Sequence, residues 1–308
     1  MNYDWASAAG EEYWDSLVRH PDRDQLFEGY AWDRMRDNQP AVTAAVLAAQ
    51  GKKKLAAAFR ATWRKNPQRP SDKIPRLNDV LDRPAVELNR LPRGSFLIQF
   101  KFQLGQPMLT RDDALFAVSD YAVRTDRVTG RPFLAASSWK GCLVNTLYLK
   151  GHKRGELSMI GLFGNDRETR KPLDFRHGTL RFFPSFFFKR AFRILNPHSR
   201  KKRSGTVPVE LEVVPKGEKA WFTLLSVPVG GLASPDTGEQ LTLVAAGVYS
   251  MLKETGFGAK TSSGFGTAAD ALESGRVAAV GASEKSEAFV SLKKLQDAAG
   301  KVRGACGF

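Results

Sequence analysis

From Gly256 to Gly266 the chain reads Gly-Phe-Gly-Ala-Lys-Thr-Ser-Ser-Gly-Phe-Gly, with glycines at both ends and one cation and three hydroxyls between them. Glycine accepts positive φ and lets backbone N–H groups come close to phosphate oxygens, while Lys260, Thr261, Ser262 and Ser263 add further donors. The chemistry this suits is a grip on a phosphodiester backbone through Gly256, Gly258, Lys260, the three hydroxyls, Gly264 and Gly266. It is not a nucleotide-triphosphate loop, in which Lys and Ser/Thr directly follow the second glycine. Nor is it a dinucleotide fingerprint, which opens a helix after a strand. On residue chemistry alone, a glycine-rich hairpin with Phe257 and Phe265 packed inside is an equal alternative.

A second constellation is Ser137-Ser138-Trp139-Lys140-Gly141. The free N–H groups and dipole of a helix start flanked by Ser137, Ser138 and Lys140 could hold a phosphate. The competing reading is a core helix capped by serine, with Lys140 in solvent. Gly141 lowers helix stability, so a close packing partner or backbone contact is expected beside it. A third feature is Lys189 to Arg203, with seven Lys or Arg and no acid, including Arg200, Lys201, Lys202 and Arg203. A charge run is usually a solvated loop, but one this dense also suits phosphate contact.

Catalytic chemistry is less well marked. Gly105 to Arg131 is long and polar, and it sets Asp112, Asp113, Asp120 and Asp126 beside Arg111, Arg124, Arg127 and Arg131. Such a length without periodicity points to a functional loop, yet carboxylates that merely solvate the surface account for most of these. None of His20, His152, His177 and His198 adjoins a Tyr or Lys pair at informative spacing. Cys142 and Cys306 are far apart and lack a Cys-x-x-Cys partner, which argues against structural zinc and a disulfide scaffold. No metal and no cofactor is expected.

These groups must be positioned by a chain of 308 residues that is 42% hydrophobic, enough for a real core. Its 47 Lys and Arg against 32 Asp and Glu give a formal charge of +15, a field that attracts polyanions and disfavours basic partners. No segment pairs a basic face with a sustained apolar one or approaches a membrane span, and the first residues lack a basic region followed by an apolar run. A cytoplasmic protein without a membrane partner is expected.

Residues 1–68 read as helical through positions such as Tyr13, Leu17, Leu26 and Trp32, and a Pro- and Arg-rich connector reaches Gly94. Phe96 to Phe102 alternates as a strand, and Ser137 and Ser138 start a helix through Leu149. Gly178 to Phe183, Phe186 to Phe188, Val209 to Val214 and Ala220 to Val227 read as strands. Leu241 to Thr255 reads as a helix stopped by Gly256, ahead of a final strand. Phe289, Leu292 and Leu295 suggest a short helix before a mobile tail. The expected organisation is a helical extension and connector over 1–94, an α+β ferredoxin-like domain of the RNA-recognition type over 95–275, and a C-terminal helix and tail over 276–308.

The motifs resemble the RAMP superfamily of CRISPR-associated proteins. Its C-terminal signature, Gly-hydrophobic-Gly, about five residues with Lys or Arg, then Gly-hydrophobic-Gly, is complete in Gly256 to Gly266. Thr129 to Gly141 resembles its Gly-x-Pro-x-Ile-Pro-Gly-Ser-Ser-x-Lys-Gly element, with Ala135-Ala136 replacing Pro-Gly. Leu162-Phe163-Gly164 and Gly178 to Phe182 resemble its Phe-Gly element and the strand after it. Asn196-Pro197-His198 with its basic insert is similar to the RAMP subunit that ends the backbone of type III-B (Cmr) complexes.

The resemblance implies a structural subunit that binds guide RNA (crRNA) in a type III CRISPR effector ribonucleoprotein serving antiviral defence. Target RNA and other effector subunits would be its partners, and it would be non-catalytic within a ribonuclease complex. Two alternatives stay open: a backbone subunit that cleaves target RNA with one of Asp112, Asp113, Asp120 or Asp126, and a stand-alone repeat-processing endoribonuclease dependent on His177 or His198.

Overall fold

Phe96, Ile98, Phe100, Phe102 and Leu104 occupy alternate positions of one strand, β1 (Phe96–Leu104), and all five are buried. That period of two gives β1 an apolar face for helices to cover. The computed structural model describes residues 83–111, 121–126, 129–165, 177–195, 209–228 and 237–307. After β1 come β2 (Phe133–Leu134), α1 (Ala136–Leu149), α2 (Leu157–Phe163), β3 (Leu180–Phe182) and β4 (Ser185–Phe186). Then follow β5 (Ala191–Leu195), β6 (Val209–Val213), β7 (Lys219–Ser226), α3 (Thr237–Ser250), β8 (Ala268–Val280), β9 (Glu284–Ser291) and α4 (Leu295–Cys306). The expected helices before residue 69 lie outside the described residues.

The described residues fall into two units. In the larger, a five-stranded sheet has the order β3-β7-β1-β8-β9. Every pairing is antiparallel, with Phe100 opposite Phe222 of β7 and Phe96 opposite Ala279 of β8. Along the chain β1, α1, β3, β7, α3 and β8 follow a strand-helix-strand-strand-helix-strand order, so the fold is α+β on an antiparallel sheet. The aromatic core lies on the even-numbered face of β1. Phe100 stacks on Phe222 at 5.0 Å, and Phe102 meets Trp139 of α1 edge-on at 6.0 Å.

The opposite face of the sheet is covered in part by the connector. Leu88 packs with Leu97 and Ala278, and Gln99 Nε2 donates to the Pro84 carbonyl at 2.9 Å and to Thr223 Oγ1 at 3.0 Å. Arg83 donates to Gln99 Oε1 and lies over the Trp221 ring at 4.9 Å. The connector from Arg83 onward is therefore built into this unit.

The C-terminal reading needs correction. Residue 276, the expected start of the tail, lies within β8, and Phe289 is in strand β9 rather than in a helix. Spacing by three suits Phe289, Leu292 and Leu295 to a helix, but β8 offers a free edge that captures Glu284 to Ser291 as a hairpin partner. The helix begins at Leu295 and runs to Cys306, packing against α3, β8 and β9 where a loose tail was expected.

In the smaller unit β5 pairs antiparallel with β6, from Ala191 opposite Val213 to Leu195 opposite Val209. Tyr121 bridges to Leu211, and Thr125 to Pro132, so part of the long polar loop joins this hairpin.

Candidate nucleic-acid interface

The glycine-rich segment leaves α3 through a π-helical turn, Met251–Thr255, and closes on itself at a neck. Phe257 N–H donates to the Gly266 carbonyl at 2.8 Å, and Gly266 N–H donates to the Pro107 carbonyl at 2.8 Å. Phe257 is fully buried, 4.8 Å from the Trp139 ring and 5.7 Å from Phe102. The hairpin alternative is thus half right, since one phenylalanine does anchor the loop in the core.

Beyond the neck the backbone turns outward. Lys260 adopts the left-handed region at φ 56, and Thr261–Ser263 form a short 3-10 turn. Two backbone bonds hold that turn, Ser263 N–H to the Lys260 carbonyl and Gly264 N–H to the Thr261 carbonyl, each 2.9 Å. Lys260, Ser262, Ser263 and Gly264 form an exposed crest. Thr261 instead leans back over Gly256, where an added Cβ would lie 3.0 Å from its side chain. A rigid neck under an exposed, donor-rich crest is a shape into which a phosphate backbone can be laid without reorganising the protein.

Helix α1 runs beside this loop. Trp139 Nε1 donates to Ser185 Oγ at 2.9 Å, and Thr146 Oγ1 shares a hydrogen bond with Thr255 Oγ1 at 2.6 Å. Lys150 pairs with Glu254 at 2.7 Å. Burial pushes the Cys142 thiol pKa up, while the adjacent Gly258 N–H pulls it back.

The helix start differs from the sequence reading. Ala135 is the N-cap, without a side-chain hydrogen bond, and both Ser138 N–H and Trp139 N–H turn to the Ala135 carbonyl. Ser137 and Ser138 are therefore inside the first turn and do not cap it. Gly141 has no packing partner either, for a Cβ there would meet nothing within 4 Å. Lys140 does not extend freely into solvent: its Nζ donates to the Phe163 carbonyl at 2.9 Å. Burial, then the nearby Arg181 charge, lowers its pKa from the ordinary lysine value.

The Phe-Gly element and the following strand meet at this point. Gly164 bridges His177, and Gly178 packs so tightly on the Leu162 and Phe163 backbone that a side chain there would collide with it. Arg181, which sequence reasoning did not single out, donates from Nη1 to the Gly178 carbonyl at 2.6 Å and to the Leu180 carbonyl at 3.1 Å. Its only sequence signal was its place in the strand after the Phe-Gly element.

Among the four loop aspartates, Asp126 is the one that falls within the described residues. Asp126 Oδ1 accepts from Thr129 N–H and Thr129 Oγ1, both at 2.8 Å, which makes it a turn anchor in the smaller unit. Asp112, Asp113, Asp120, Arg200, Lys201, Lys202, Arg203 and His198 lie outside the described residues. Arg190, counted within the basic stretch, is withdrawn from the surface: it pairs with Glu212 at 3.2 Å, and both side chains are 5% exposed. His152 pairs with Glu156 at 3.1 Å. Among the described residues no cluster of His, Cys, Asp and Glu could hold a metal, and no helix is long and apolar enough to cross a membrane.

No curated protein matches the chain. Among solved structures, one described as type III-B Cmr-beta bound to cognate target RNA aligns at 14% identity and a TM-score of 0.47, covering 78% of this chain and 76% of the other. Another, described as a CRISPR RNA-guided surveillance complex, aligns at 15% identity and a TM-score of 0.40, covering 60% of this chain and 68% of the other. The family profile of the RAMP superfamily matches residues 101–269, just over half of the chain, from β1 through the glycine-rich loop into β8. The chain belongs to the RAMP superfamily.

Proposed function

We propose that the protein is a guide-RNA-binding structural subunit of a type III CRISPR RNA-targeting effector complex, gripping the RNA backbone and leaving the bases free to pair with target. The observation that carries this reading is the exposed crest Lys260 to Gly264, held on a neck fixed by the Phe257–Gly266 and Gly266–Pro107 backbone bonds. Support comes from the formal charge of +15 and from membership of the superfamily. Such a site contacts phosphate and ribose, so it is blind to sequence, and its share of the binding energy falls with salt. The basic residues Arg200 to Arg203 would add to the attraction for phosphate.

The test is Lys260→Ala in the full chain, titrated with single-stranded RNA of mixed sequence by fluorescence anisotropy over a range of salt. Loss of one phosphate contact should reduce the slope of log K against log salt by about 0.7 and weaken binding several-fold whatever the sequence. An unchanged slope with unchanged affinity would remove the loop from the interface.

A further inference from the structure

Lys140 and Arg181 are two like charges anchored on one backbone junction, because the Phe163 carbonyl that takes Lys140 and the Gly178 carbonyl that takes Arg181 belong to residues packed against each other. Lys140 Nζ spends a hydrogen on the Phe163 carbonyl, and Arg181 spends Nη1 on the Gly178 and Leu180 carbonyls. The remaining ammonium hydrogens, Nε–H and the Nη2 hydrogens have no protein acceptor among the described residues. No carboxylate among those residues is paired with either cation, although exposed cations elsewhere in this unit have one, as Lys150 has Glu254 and Lys219 has Glu273. Holding two cations side by side without a counter-charge costs repulsion that an anion between them would relieve.

The surroundings fix the seat in place. The Phe163 and Gly178 carbonyls belong to the junction where Gly178 packs on Leu162 and Phe163, so the two head groups rest on backbone rather than on mobile side chains. Lys140 stands between Trp139 and Cys142, the residues of α1 that meet Phe257 and Gly258 of the glycine-rich loop.

We propose that Arg181 and Lys140 together form a second phosphate seat, which takes an internal phosphodiester of the same single-stranded RNA that crosses the Gly256 to Gly266 loop. This rests on the RNA-binding reading above and adds Arg181 to the interface as a contact residue. The planar guanidinium can give two parallel N–H bonds to phosphate oxygens while Lys140 acts as a point charge.

The experiment compares Arg181→Gln, Arg181→Lys and Lys260→Ala in the full chain, with thermal melts to confirm folding and RNA anisotropy across salt. Arg181→Gln should reduce the salt slope by about 0.7 and weaken binding several-fold irrespective of sequence, and Arg181→Lys should keep most of the slope. A slope unchanged in folded Arg181→Gln, with Lys260→Ala still defective, overturns the seat and leaves the loop reading standing. No effect in either variant overturns both. Inorganic phosphate serves as a competitor. At matched ionic strength it should displace RNA more readily from the protein that retains Arg181 than from Arg181→Gln, and equal displacement from both would overturn the proposal.

Discussion

Gly266 and Gly264 both have positive φ, 68 and 81, but for different reasons. A Cβ on Gly266 would run into the Phe257 carbonyl oxygen at the neck, where backbone on both sides leaves nothing able to move aside. A Cβ on Gly264 would meet nothing within 4 Å, so only the conformational penalty remains. Urea denaturation should therefore show Gly264→Ala costing about 1 kcal/mol, the left-handed strain alone, and Gly266→Ala costing more than about 3 kcal/mol. Equal costs would show that the neck is not closed as described. The spacing of these glycines was readable from sequence, since it is a pattern in residue types. Which glycine answers to close approach and which to backbone hand was not, because that depends on where Phe257 and Pro107 come from. Gly141 makes the same point in reverse: the sequence suggested a packing partner, and the helix surface there is open.

Trp139 shows how an element carries a site. It is fully buried, hydrogen-bonded through Nε1 to Ser185 Oγ, and in ring contact with Phe102, Phe222 and Phe257, so it ties α1 to the sheet and to the loop neck at once. Trp139→Ala should cost about 3–5 kcal/mol in denaturant, by cavity formation and loss of the Ser185 bond. Trp139→Phe should retain most of the stability and the RNA affinity, because the ring that backs Phe257 is kept. If Trp139→Ala bound RNA with full affinity while destabilised, the helix would not be what holds the loop. Strands β1 and β7 and helices α1 and α3 were legible because hydrophobic period and β-branched or aromatic content agreed there. The C-terminal hairpin was not, since Phe289, Leu292 and Leu295 satisfy a helical spacing and only the unpaired edge of β8 decides between strand and helix. The serine cap failed for a similar reason. Ala135 takes the extended conformation that ends the β2 connection, which shifts the helix start ahead of Ser137.

At the scale of the whole molecule, what sequence could not convey is how distant segments assemble. The smaller unit joins the described parts of 109–132 to those of 188–214, and among the described residues a buried ion pair lies at that joint alongside buried Val123 and Leu211. Arg190 Nη1 meets Glu212 Oε1, Arg190 Nη2 donates to the Gly130 carbonyl at 2.9 Å, and Glu212 Oε2 accepts from Val123 N–H at 3.0 Å. Beside it the Arg131 guanidinium lies 3.9 Å over the Phe188 ring. In the sequence Arg190 was one cation in a basic run and Glu212 one acid in a strand, with nothing to join them. The two kinds of arginine now separate by physics: a surface cation acts through a salt-dependent field, whereas Arg190 acts as the partner that makes a buried carboxylate tolerable. Arg190→Met should therefore destabilise this unit by about 3–5 kcal/mol, as Glu212 is left buried and uncompensated. Arg190→Met with Glu212→Leu should recover part of that loss but not all, because Val123 N–H and the Gly130 carbonyl still lose their partners at about 1–3 kcal/mol each. Limited proteolysis at Tyr121 to Arg131 reads this directly. The single variant should be cut fastest, the double variant at an intermediate rate and the native chain slowest, while a double variant as labile as the single would mean that the pair contributes through geometry rather than charge.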